Sequence, residues 1–121
     1  MPKKVLVVDD SETMRQLVSF TLREAGFEVQ EAENGQKGLE KLSGWNVDLI
    51  LTDLNMPVMD GLTFIRSLRD LAATRYVPVL MLTTESQAEK KMQGKTAGAT
   101  GWIVKPFDPP KLLSTIAKVL A

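Results

Sequence analysis

Two kinds of segment alternate along the chain. Val5-Leu6-Val7-Val8, Leu49-Ile50-Leu51, Val79-Leu80-Met81-Leu82 and Ile103-Val104 are short and apolar at every position. Such runs are too short for helices and show no alternation, which is how strands covered on both faces read. Glu28-Val29-Gln30-Glu31 is a weaker strand, with Val29 its only aliphatic residue, and suits a sheet edge.

Between these runs, apolar residues recur every third or fourth position and predict helices. Thr13 to Ala25 aligns Met14, Leu17, Val18, Thr21, Leu22 and Ala25, and Gly26 supplies a stop. Gly35 to Leu42 carries Leu39 and Leu42, and Gly61 to Leu71 carries Leu62, Ile65, Leu68 and Leu71. Lys111 to Leu120 repeats the pattern behind Pro109-Pro110, residues favoured at a first turn. The helix between Ser86 and Ala97 is the weakest. Its apolar set is Ala88, Met92 and Ala97, and the internal Gly94 costs about 1 kcal/mol. The order βαβαβαβαβα predicts a doubly wound α/β fold, a parallel sheet with helices on both faces.

Composition narrows the function. The 121 residues are expected to form a single domain. Fifteen basic and fifteen acidic residues cancel, so no global field favours nucleic acid or an anionic membrane. The chain has no cysteine and no histidine. That excludes thiolate catalysis, zinc–thiolate sites, a Ser-His-Asp triad and histidine-ligated metals. No stretch approaches the length of a membrane helix or a signal peptide, so a cytoplasmic location without membrane insertion is expected.

The remaining chemistry collects at one end of the predicted strands. Open parallel sheets bind ligands beyond the carboxyl ends of their strands. There the sequence places Asp9-Asp10, Thr52-Asp53 with Asn55 beyond, Thr83-Thr84-Glu85, and Lys105-Pro106. Each has a plain reading alone: Asp10 or Ser11 as a helix cap, Lys105 as a solvated lysine, Asn55 as a turn residue, Asp60-Gly61 as a turn and helix start. Their shared placement on one rim is not predicted by those readings. Three carboxylates at close range favour a raised pKa or a bound cation. All-oxygen ligands with few carboxylates select Mg²⁺. With Thr83 as a hydroxyl donor and Lys105 as a point charge, the fitting substrate is a transferable phosphoryl group, taken by a carboxylate as an acyl phosphate.

Val7-Val8-Asp9-Asp10-Ser11, the run from Leu51 to Gly61, Leu82-Thr83-Thr84 and Val104-Lys105-Pro106-Phe107 together resemble the signature segments of response-regulator receiver domains. The resemblance spans the whole chain. It implies a flavodoxin-like (βα)5 fold with strand order 2-1-3-4-5 and a single receiver domain over residues 1–121 without an output domain. It implies Asp53 as phosphoacceptor, served by a sensor histidine kinase. Asp9, Asp10, Asp53 and the backbone carbonyl of Asn55 would hold Mg²⁺. Thr83 and Lys105 would contact the phosphoryl group, and Pro106 would follow a cis bond. Within the family the segments are most similar to the chemotaxis type. There Asn55 and Glu85 would speed loss of the phosphoryl group, and a flagellar motor switch protein or a phosphatase would be the partner of a monomer. A phosphate sink or a phosphorelay intermediate is the alternative. Two positions depart from the pattern: Trp102 stands where the family has a Tyr or Phe switch residue, and Thr84 replaces a small residue.

Two other classes fit less well. An aspartyl-phosphate hydrolase needs a second Asp two residues after its nucleophile, where this chain has Asn55. A flavin or nucleotide binder needs a Gly- or hydroxyl-rich first loop, whereas Asp9-Asp10-Ser11-Glu12 repels phosphate unless a metal intervenes.

Overall fold

The computed structural model describes residues 2–84, 88–106 and 108–120. Among the described residues, five strands and five α-helices alternate: β1 (Lys4–Val8), α1 (Glu12–Glu24), β2 (Glu28–Ala32), α2 (Gly35–Leu42), β3 (Leu49–Asp53), α3 (Gly61–Arg69), β4 (Val79–Thr84), α4 (Ala88–Ala97), β5 (Gly101–Lys105) and α5 (Pro109–Leu120). A 3₁₀ turn, Ala72–Thr74, joins α3 to β4. All strand pairs are parallel, in the order β2-β1-β3-β4-β5, so the weakly apolar β2 lies at an edge.

Side chains alternate across the sheet and build two cores. Val5, Val7, Leu49, Leu51, Leu80, Leu82 and Ile103 face α1 and α5, where Val18, Leu22, Leu112 and Ile116 are buried. Leu6, Val8, Ile50, Val79 and Met81 face the other way, onto Leu42 of α2 and Phe64, Ile65 and Leu68 of α3. Continuous apolar runs are the consequence of burying both faces.

Helix starts are fixed by side-chain caps. Ser11 Oγ accepts from Met14 N, Asn34 Oδ1 from Lys37 N, Asp60 Oδ1 from Thr63 N and Asp108 Oδ1 from Lys111 N. Gly26, at φ +96°, takes the left-handed turn that ends α1.

Helix α4 departs from its expected packing. Met92, read as part of its apolar set, is 73% exposed, and Gly94 is the one buried residue of the helix. Two residues along a helix point about 200° apart, so seating Gly94 on the sheet turns Met92 to solvent. A Cβ on Gly94 would overlap the Met81 thioether, which is why the backbone can approach there. Ala97, three residues on, does pack against the core.

Candidate functional site

Strand register brings the polar residues of the rim together. Val8 pairs with Thr52, so Asp9 and Asp53 leave adjacent strands side by side. Asp53 pairs with Leu82, which sets Thr83 one step further, and Thr84 pairs with Lys105. The result is a cluster in which carboxylate oxygens of Asp9, Asp10 and Asp53 all lie within 4.8 Å of one another.

Asp9 is fully buried. Its Oδ1 accepts from Ser11 N at 2.9 Å, while Oδ2 has no hydrogen-bond partner among the described residues. Burial pushes its carboxyl above the usual range, and the charges of Asp53 and Asp10 add to that; the Ser11 N–H and Lys105 oppose it. Arg15 braces the turn from behind: Nη1 donates to the Asp9 carbonyl at 2.8 Å and Nε pairs with Glu31 at 3.1 Å. Asp53 is partly exposed, with Oδ1 accepting from Leu54 N at 2.8 Å. Lys105 Nζ stands 3.6 Å from Asp9 Oδ2 and 3.5 Å from Asp53 Oδ1. The Lys105–Pro106 peptide bond is cis. Thr83 is buried, and its Oγ1 also lacks a partner among the described residues.

The loop after β3 is tightly wound. Gly61 N donates to Leu54 O at 3.0 Å, and a Cβ at Gly61 would overlap the carbonyl oxygen of Asp53. Gly61 therefore does more than start α3: its lack of a side chain sets the backbone position of Asp53. Val58 sits at φ 69° with Met59 N donating to Pro57 O at 2.7 Å, a γ-turn with a left-handed centre.

Asn55 is exposed, and its Oδ1 accepts a hydrogen bond from Lys90 Nζ, a partner the sequence did not signal. Trp102 is 38% exposed and so is not a core residue. Lys91 and Lys95 of α4 lie over its ring, 5.6 and 5.5 Å from the centroid. Glu85 lies outside the described residues.

Chemically, the site joins three carboxylates, a buried orphan oxygen on Asp9 and the nearby ammonium of Lys105. Lys105 offsets part of the negative charge and leaves the remainder for a cation. A hard divalent ion that takes one or two carboxylates fits this donor set, and Mg²⁺ fits best. Asp53 is the more accessible of the two acids that Lys105 contacts.

Comparison with known proteins agrees with this chemistry. A family model described as the response regulator receiver domain matches residues 5–117. The chain is 38% identical over 117 residues to the chemotaxis protein CheY-3 of Vibrio cholerae, covering 96% of this chain and 90% of that protein. It is equally similar to the chemotaxis protein CheY of Pseudomonas aeruginosa, 38% identical over 96% of this chain and 94% of that one. Among solved structures, chemotaxis protein CheY4 of Vibrio cholerae superposes with a TM-score of 0.95 at 49% identity, over 99% of this chain and 100% of that one.

Proposed function

Because the chain belongs to the response regulator receiver domain family, we propose that Asp53 is its phosphoacceptor and that its signalling role is in chemotaxis. The observation that carries the reading is the convergence of Asp9, Asp10 and Asp53 with Lys105 at the ends of three strands.

In this reading an Asp53 carboxylate oxygen attacks the phosphorus of a phosphohistidine on a sensor histidine kinase. The new P–O bond forms as the P–N bond breaks, and the imidazole leaves. Asp9, Asp10, Asp53 and the backbone carbonyl of Asn55 would hold Mg²⁺, which supplies charge neutralisation at the phosphoryl oxygens. Lys105 moves its ammonium from the carboxylates onto a phosphoryl oxygen, and the orphan hydroxyl of Thr83 donates to another. The phosphoryl group adds a charge of about −1.5 to −2. Helix α4, with one buried residue, is the loosely held element such a charge can move. Trp102, under two α4 lysines, reports that movement on the surface formed by α4 and β5.

The similarity to chemotaxis CheY proteins supports a flagellar motor switch protein as the partner. The test is capture by beryllofluoride-treated chain. Enrichment of a motor switch protein over untreated chain is expected. Drainage of label from a kinase without any bound partner would instead make the chain a phosphate sink. Asp53→Ala incubated with acetyl phosphate and Mg²⁺ is expected to take up no label, and a labelled variant would remove Asp53 from its role.

A further inference from the structure

Helix α4 carries three lysines, and they divide their contacts. Lys91 and Lys95 lie over Trp102. Lys90, in the first turn, instead donates to Asn55 Oδ1, two residues beyond Asp53. The same ammonium acts electrostatically on Asp60, so it leans over the loop between β3 and α3. We propose that Lys90 is a positioning residue that prolongs the phosphorylated state by withholding the Asn55 carboxamide oxygen from water. The proposal rests on the reading of Asp53 as phosphoacceptor.

The reaction at issue is hydrolysis of the aspartyl phosphate. A water oxygen forms a bond to phosphorus as the bond from phosphorus to the Asp53 oxygen breaks. Carboxylate and inorganic phosphate are released, and the protons of the water leave on the phosphate or to solvent. The attacking water needs a lone pair free to face phosphorus and an acceptor for its O–H. A carboxamide oxygen two residues from the acyl phosphate is a suitable acceptor. Here Lys90 takes one of its two lone pairs and sets an ammonium beside the other. The groups flanking that oxygen, the Asn55 Nδ2 group and the ammonium itself, can only donate. A water bound by such donors has its lone pair engaged away from phosphorus. Both effects act in one direction and slow hydrolysis, opposing the rapid loss that Asn55 implies by resemblance alone.

The test uses the full chain phosphorylated with phosphoramidate and Mg²⁺, then desalted, with decay followed by phosphate-affinity electrophoresis. Lys90→Met is expected to accelerate first-order decay roughly threefold to tenfold, the range a single hydrogen bond contributes. Lys90→Arg keeps a donor and is expected to restore the slow rate. In an Asn55→Ala background, Lys90→Met is expected to change nothing, because its effect passes through Asn55. Thermal melting should be the same in wild type and all four variants, separating this role from a structural one. Equal decay of wild type and Lys90→Met, or undiminished acceleration in the Asn55→Ala background, overturns the proposal. A wild-type chain that takes up no phosphoryl group overturns the phosphoacceptor reading itself, and the proposal with it.

Discussion

Lys105 Nζ lies 3.5 Å from Asp53 Oδ1, close enough for charge pairing but longer than a good hydrogen bond. The ammonium is held between Asp53 and Asp9 without being locked to either. It both lowers the repulsion among the acids and competes with any divalent cation. Replacing it should therefore move two properties in opposite directions. Lys105→Met is expected to bind Mg²⁺ more tightly by calorimetric titration, and to be phosphorylated by acetyl phosphate at least about tenfold more slowly, the loss of one charge-stabilising donor.

Removing the divalent ion is expected to lower the melting temperature, because Asp9, Asp10 and Asp53 then repel one another within 4.8 Å. Asp9→Asn should melt higher than wild type in EDTA, since it removes a buried charge with an orphan oxygen. The same variant should lose most of the Mg²⁺-dependent rise. Scanning calorimetry with and without Mg²⁺ measures both.

Gly61→Ala tests how the β3–α3 loop positions Asp53. The added methyl would overlap the Asp53 carbonyl oxygen, which is backbone and cannot swing aside. A loss of about 1–3 kcal/mol in urea unfolding is expected. The phosphorylation rate should fall as well, because the displaced atoms belong to Asp53, the proposed phosphoacceptor.

Asp60 caps α3 through Thr63 N, and that hydrogen bond holds its carboxyl below the usual carboxylate range. Asp60→Ala is expected to cost about 1 kcal/mol, and Asp60→Asn, which keeps a capping oxygen, less. The pH dependence follows from the direction of the shift. A depressed folded-state pKa stabilises fully above the ordinary Asp value, and the gain is lost as pH falls through the lowered one. The stability difference between wild type and Asp60→Asn should therefore shrink on acidification below the ordinary Asp range. Urea unfolding at several pH values checks it.

Much of this architecture is legible because double-sided burial leaves a plain trace. Val5 to Val8 and Val79 to Leu82 are apolar throughout, so parallel strands follow, and the residues ending them must share a rim. Single side chains that reach across the fold leave no such trace. Lys90 reads as a surface lysine, and its bond to Asn55 joins residues 35 positions apart. Arg69 reads as the tail of α3, yet its guanidinium donates to the carbonyls of Gly98, Thr74, Arg75 and Val77, tying the end of α4 to the approach to β4. Met92 misleads because helical period shows which residues share a stripe but not which stripe faces the sheet. Gly94 decides that, by allowing contact that no side chain would.

In the proposed function, one carboxylate among three receives the phosphoryl group. The direct measurement is to phosphorylate the chain with acetyl phosphate and Mg²⁺, trap the acyl phosphate by borohydride reduction, and map the reduced residue by peptide mass spectrometry. Modification at Asp53, with Asp9 and Asp10 unaltered, is the expected result. Reduction at either of those acids, or at a residue away from the strand ends, would contradict it.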